Sequence, residues 1–281
     1  MDRFAPPEVS IGAMCDEINN FLKDKEYKDE IVGIGLGVPG ILNKEKGIVK
    51  SSPNMPLWIN FNIKEFVEKR ALLPVKIVND ASSAALGEAR FGTGKDYPNI
   101  VMVTLGTGVG GGIIIDGKLF DGKDGTGAQI GHHVICYNGR KCSCGRRGCL
   151  EAYASATALN RSAKQRASRF PDSMLNSVSL INSKEVFECA KKGDRLSMIL
   201  VNEYVTYLSE GLLNFCNIFR PNIILLSGGI ANEGDYLINR IVKYMKKHNY
   251  GYVNAPVIPI KTGKLGYDAG KYGAASLFFS K

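Results

Sequence analysis

His132, Cys142, Cys144 and Cys149 lie close enough along the chain to close on a single ion. One imidazole and three thiolates form the donor set that a tetrahedral Zn²⁺ prefers. Four protein donors would fill the shell, so the metal would be structural and would activate no water. Gly139, Gly145 and Gly148 permit the sharp turns that so short a loop needs. His133 is an alternative donor, and Cys136 another, although its apolar neighbours Val134 and Ile135 fit a packing role better. Glu151 follows the last cysteine closely enough for the knuckle to fix its direction.

Three other stretches carry residues suited to ligands. Val75-Lys-Ile-Val-Asn79-Asp80 reads as a strand ending in an amide and a carboxylate, where α/β folds place their ligands. Asp80 also reads as a simple N-cap for the Ala-rich helix Ala81–Phe91. Gly106-Thr107-Gly108-Val-Gly110-Gly-Gly112 separates two apolar runs, Ile100–Leu105 and Ile113–Asp116. That pattern predicts a hairpin whose amides can face anionic oxygens, or a tight turn with no ligand. It is not a Walker loop, because no Gly-Lys-Ser/Thr follows. Finally, the strand Pro221–Ser227 runs into Gly228-Gly229, a weak signal taken alone.

The run Cys142-Ser-Cys-Gly-Arg-Arg-Gly-Cys149-Leu-Glu151, with Gly131-His132 ahead of it, resembles the zinc signature of the ROK family. That family groups bacterial sugar kinases with sugar-responsive repressors, and the likeness extends from about Glu30 to the C-terminus. It implies an α/β fold of the two-lobed actin-like ATPase (ribonuclease-H-like) type, with a zinc-binding knuckle over 132–149 in the second lobe. Residues 1–99 would form an incomplete first lobe and 100–281 the second, with the last helix returning to the first. The implied activity is ATP-dependent phosphorylation of a hexose, most like glucokinase, with Asp80 as general base. Asn79, Gln129, His132 and Glu151 would hold the sugar, His132 through the nitrogen that does not meet zinc. Gly106, Thr107, Gly108, Gly110, Gly228 and Gly229 would face ATP, which arrives with Mg²⁺. A non-catalytic sugar sensor is the alternative that the family also contains. The resemblance implies a homo-oligomer, dimer or tetramer.

Two departures from the family pattern stand out. The family's Glu-x-Gly-His reads Gln129-Ile130-Gly131-His132 here, which trades a charged acceptor for a neutral amide. The opening strand with Asp-x-Gly-Gly-Thr has no counterpart, for which an N-terminal truncation is the expected explanation. Weakened Mg·ATP chemistry follows as an expectation, as do an exposed flank at Ile31–Gly37 and lost apolar cover over Ile77 and Val78.

The elements that must position these residues are legible as patterns. Ile11, Met14, Ile18 and Leu22 fall at helical spacing after Pro6-Pro7-Glu8. Ile31–Gly40 reads as a buried strand running into a Gly/Pro turn; the resemblance implies a sugar contact at Gly40, and a plain turn is the alternative. Trp58 sits in a loop before a helix that starts near Ile63 and fits packing better than a lid. Asn182-Ser-Lys-Glu185 offers a capping box for a helix over Ser183–Lys191. A long helix follows Gly193, and an amphipathic one spans Tyr236–Lys247.

A chain of 281 residues with 44% hydrophobic content can bury a sizeable core. Seven cysteines, most of them in one knuckle, fit reduced thiols and a metal better than a disulfide framework, and so a cytoplasmic protein. No apolar run reaches the ~20 residues of a membrane helix, and the N-terminus has no signal-peptide pattern. The formal charge of +9 is scattered, with no helix-turn-helix pattern and no aromatic-interleaved basic stripe. Neither a nucleic acid nor a membrane is therefore expected as partner.

Overall fold

The computed structural model describes residues 4–23, 30–52, 55–251, 254 and 256–279. The chain forms two compact units, one of residues 1–96, 112–128 and 267–281, the other of 97–111 and 129–266.

The first unit opens with α1 (Pro7–Leu22), which begins at the prolines and places Ile11 and Cys15 in the core. β1 (Ile34–Val38) pairs in parallel with β5 (Val75–Asn79), Ile34 opposite Val75. Between them, β2 (Ile41–Asn43), β3 (Ile48–Ser51) and β4 (Phe61–Asn62) form a small antiparallel sheet, followed by α2 (Ile63–Ala71). The core joins Ile11 and Cys15 to Val38, Leu42, Trp58, Val67 and Ile77. Trp58 is therefore a packing residue, 2% exposed.

The flank of β1 differs from a fully buried strand. Among the described residues β1 has a strand on one side only, Ile34 and Leu36 are half-buried, and Val32 is 61% exposed. Ile77 and Val78, however, do not lose their cover: they are 4% and 0% exposed. Residues of α1 share a core cluster with Ile77. On the other face, α3 (Asp80–Phe91) and the last helix of the chain pack against β5.

In the second unit, β6 (Ile100–Leu105) and β9 (Ile223–Ser227) run in parallel, Ile100 opposite Ile223 and Thr104 opposite Ser227. Both are apolar on both faces, as strands covered on two sides must be. β7 (Val109–Ile115) neighbours β6 and continues into the first unit, where Ile113–Ile115 pairs with β8 (Lys118–Phe120). The glycines 110–112 thus lie in a strand, and the turn is only Gly106–Gly108. Their missing side chains explain this: a Cβ on Gly111 would collide with the Met102 carbonyl and Ile130.

After the knuckle come α4 (Glu151–Ala154), α5 (Ala156–Arg166) and α6 (Ser183–Lys191), the last capped by Asn182. α7 (Arg195–Phe219) is the longest helix described, and α6 and α8 (Asp235–His248) pack on it. β10 (Ile260–Thr262) adds to β9 in parallel. The chain returns to the first unit as α9 (Ala269–Ala275), where the Ser83 hydroxyl donates to Gly270 O at 2.7 Å. Glycines at 35, 87 and 273 let α9 approach the backbones of β1 and α3 directly, since a Cβ at any of them would strike main chain.

Asp194 caps α7 and supports one testable stability effect. Its carboxylate accepts from Ser197 N (2.8 Å), Met174 N (2.8 Å) and the Ser173 hydroxyl (3.0 Å). Burial pushes its pKa up, but these hydrogen bonds together outweigh burial and hold it below the usual carboxylate value. A depressed folded-state pKa gives stability that is present above the unfolded value and lost as pH falls through the folded one. Asp194→Ala is expected to cost about 2 kcal/mol at neutral pH, the upper range for a lost cap. Thermal unfolding should read this as about 5 °C. The gap to the wild type should close as the pH is lowered below ~4; a gap that is constant with pH would contradict the assignment.

Candidate functional site

The knuckle is built on a short 3₁₀ turn, Ile130–His132, and two tight loops. Cys142 N donates to Arg146 O at 2.9 Å and Gly145 N to Cys142 O at 3.1 Å, so the chain folds back around the sulfurs. Gly145 and Gly148 both take positive φ, 91° and 82°, which glycine adopts without strain. Isolated bridges join Val134 to Cys149 and Lys141 to Arg147. Arg140 lies over the Tyr153 ring at 4.6 Å, and its N–H donates to the Tyr153 hydroxyl at 2.7 Å.

These loops bring one donor atom each from His132, Cys142, Cys144 and Cys149 within 4.8 Å of one another. The Cys144 and Cys149 sulfurs are 3.7 Å apart, and the Cys142 sulfur is 3.6 Å from His132 Nδ1. A tetrahedron with Zn–S bonds of ~2.3 Å has edges of ~3.8 Å, so two of the pairs already match that ion and no pair needs to close by more than about 1 Å. Burial first, and then the neighbouring sulfurs, push the Cys149 thiol up to about 12. Such crowding of thiolates is what a divalent cation relieves.

His133 is not part of the cluster. Its Nδ1 hydrogen-bonds the Ile130 carbonyl and its ring packs edge-on against Phe215 at 4.8 Å. Cys136, like Ile135 and Tyr207, packs against the cluster of Cys142, Cys149, Ala152 and Tyr153. Among the described residues this sulfur-rich set is the one His/Cys/Asp/Glu grouping suited to a metal, and its soft donors do not fit Mg²⁺, which takes oxygen ligands.

Glu151 extends the knuckle toward the glycine turn. Its Oε1 accepts from the Ser143 hydroxyl at 2.9 Å and its Oε2 from Val109 N at 3.1 Å. The Cys142 thiol also approaches Oε1, at 3.8 Å; of the roughly four acceptor positions of a carboxylate, Oε2 keeps one for a ligand. His132 presents Nδ1 to the sulfurs, which leaves Nε2 for a hydroxyl. Gln129 is exposed, and its carbonyl accepts from His132 N at 3.0 Å.

Gly106–Gly108 and Gly228 follow the C-terminal ends of the adjacent parallel strands β6 and β9. Ligands of open α/β sheets bind at such ends. Gly228 has a φ of 89°, and a Cβ there would sit 2.6 Å from Leu105 O, so the residue is fixed by packing. Gly229 has open space beside it. The amides of Gly106 and Gly110 are spent internally, on Gly108 O (3.1 Å) and Thr104 Oγ1 (3.2 Å).

In the first unit, the adjacent polar pair divides its labour. Asn79, with extended φ/ψ of −61° and 144°, caps α3: its Oδ1 accepts from Ala81 N and Ser82 N. Its Nδ2 donates to Gly40 O at 3.3 Å. Asp80 is therefore not the cap. It is exposed, its Oδ1 accepts from Ala81 N at 2.9 Å, and its Oδ2 has no protein partner among the described residues. A cavity of about 620 Å³ opens beside it, lined also by Gly35, Gly37, Gly270 and Lys271. The cavity runs along the uncovered flank of β1, past Val32 and Leu36, and Asn79 is not part of its lining.

Sequence reasoning missed Ser143, Ala156 and Thr157, which contact Glu151 or the glycine turn. Ser143 is flanked by two cysteines, the only hint the sequence holds, and nothing there names its partner.

Residues 2–281 match the ROK family, and the chain belongs to it. Its fold is the α/β actin-like ATPase fold of that family. A glucokinase of Thermotoga maritima is 37% identical over 257 residues, covering 89% of this chain and 80% of that protein. The crystal structure of a ROK family glucokinase from Streptomyces griseus, in complex with glucose and AMPPNP, superposes with a TM-score of 0.82 at 34% identity. That match covers 97% of this chain and 88% of the other. A xylose repressor of Bacillus spizizenii is 31% identical over 92% of this chain and 65% of that protein. Kinases and repressors thus both stand among its relatives. No helix among the described residues is long and apolar enough to cross a membrane.

Proposed function

We propose that this chain transfers the γ-phosphoryl group of ATP to a hexose, converting glucose to glucose 6-phosphate. The observation that carries the reading is Asp80: an exposed carboxylate at the end of β5 with one free oxygen, because Asn79 has taken over the cap. A sugar hydroxyl is a poor nucleophile at neutral pH, and a carboxylate in hydrogen-bond reach accepts its proton as the O–P bond forms. Asn79 orients the sugar through the amide capacity that the cap leaves over. Gln129, His132 Nε2 and Glu151 are the further sugar-binding residues that family membership implies. The glycine turn Gly106–Gly108 meets the phosphates through the amides of Thr107 and Gly108, and Gly228-Gly229 meets the nucleoside. Mg²⁺ enters with the nucleotide and neutralises phosphate charge. His132, Cys142, Cys144 and Cys149 hold a Zn²⁺ that supplies rigidity, since no coordination position is left for chemistry.

The xylose repressors among its relatives favour a second reading, a sugar sensor without catalysis. Titration calorimetry separates the two. Binding of both glucose and AMPPNP supports the kinase, glucose alone supports the sensor, and binding of neither sinks both.

A further inference from the structure

The glycine turn is fastened almost wholly by three of the eight residues that follow the last cysteine of the knuckle. Val109 N donates to Glu151 Oε2 at 3.1 Å, Ala156 N to Gly106 O at 2.8 Å, and the Thr157 hydroxyl to Thr107 O at 2.7 Å. Gly106 N and Gly110 N are spent on Gly108 O and Thr104 Oγ1. What remains for an anion is the pair of amides at the tip, Thr107 N–H and Gly108 N–H, which have no protein acceptor among the described residues. Glu151 is itself held from the knuckle side, because its Oε1 accepts from the hydroxyl of Ser143, between two of the cysteines. A Cβ on Gly108 would collide with the Glu151 carboxylate, so tip and carboxylate are in direct contact.

We infer that the metal-bearing knuckle sets the position of these anion-facing amides, and that Ser143 and Thr157 are positioning residues for the phosphate end of the nucleotide. Ser143 acts through Glu151 on the Val109 leg, and Thr157 acts at the tip. Zn²⁺ and a polyphosphate are then linked ligands. Removing the metal frees the Cys142–Cys144 loop, Ser143 leaves Glu151, and the turn loses the contact that fixes its second leg. Linkage is reciprocal, so a bound polyphosphate should retain the metal more tightly. The nucleotide part of this inference rests on the phosphate-facing role proposed above; the mechanical part does not.

Two readouts on the full chain test it. In hydrogen exchange, chelation of the zinc-loaded protein with EDTA is expected to speed exchange in a peptide spanning 105–112 by about tenfold, with the middle of α7 unchanged. Ser143→Ala should give much of that rise with zinc still bound. Thr157→Val should do the same, and Thr157→Ser, which keeps the hydroxyl, should not. In calorimetry, Thr157→Val is expected to weaken AMPPNP about tenfold and to move glucose affinity by less than about twofold. Unchanged exchange on both chelation and Ser143→Ala overturns the inference, as does an unaltered AMPPNP affinity in Thr157→Val. If the wild type binds no AMPPNP while its exchange responds to chelation, the phosphate-loop reading falls and the link from knuckle to turn stands.

Discussion

Asp80→Asn is expected to lower kcat for glucose by roughly a thousandfold, within the range for loss of a general base. Its glucose dissociation constant should change by less than about threefold, because the amide keeps the shape and most of the hydrogen bonding. The folded state should be unaffected, since Asn79 caps α3 and an amide oxygen at position 80 still accepts from Ala81 N. Asparagine cannot take a proton, so the loss falls on the chemical step. A coupled spectrophotometric assay read beside calorimetry separates the two quantities. A variant that keeps kcat within about tenfold would place the base elsewhere.

The second large effect is on the metal. Cys149 is 0% exposed, its sulfur lies 3.7 Å from that of Cys144, and Leu150 beside it is fully buried. Cys149→Ser is expected to bring the zinc content from about one per chain to near zero, because three remaining donors hold the ion poorly. The knuckle sits on a folded unit rather than forming one alone, so only part of the binding energy is lost as stability, about 4 kcal/mol. Calorimetric unfolding should show a midpoint lower by about 10 °C. Exhaustive chelation of the wild type should reproduce the shift, and re-addition of Zn²⁺ should reverse it. A midpoint indifferent to chelation would mean that the four donors carry no structural ion.

What the sequence made legible was local. Four donors in one loop announce a metal by spacing alone, and Asn182 precedes its helix in a capping pattern. Long-range placement was not legible. The alternate glycines of β1 signalled a close backbone approach without naming the neighbour, which at Gly35 is α9, a helix more than two hundred residues later. Ile34 and Leu36 stay half-buried because β1 has one strand neighbour among the described residues, whereas Ile77 and Val78 are covered by elements from both chain ends. The run Gly106–Gly112 looked like one long loop. Gly110–Gly112 are strand residues instead, and at Gly111 a bare backbone is what Met102 O and Ile130 tolerate at that distance. Which of Asn79 and Asp80 caps α3 depends on one residue's φ/ψ, and the sequence of two adjacent cap formers leaves it open. Ser143 and Thr157 belong to no motif; only the folded chain shows that their hydroxyls meet Glu151 and Thr107.

The most direct test of hexose phosphorylation is ³¹P NMR of the zinc-loaded chain incubated with glucose and Mg·ATP. The account predicts a glucose 6-phosphate resonance that grows in step with ADP and is absent with Asp80→Asn. ATP left intact, or split to ADP and inorganic phosphate with no sugar phosphate, would contradict it.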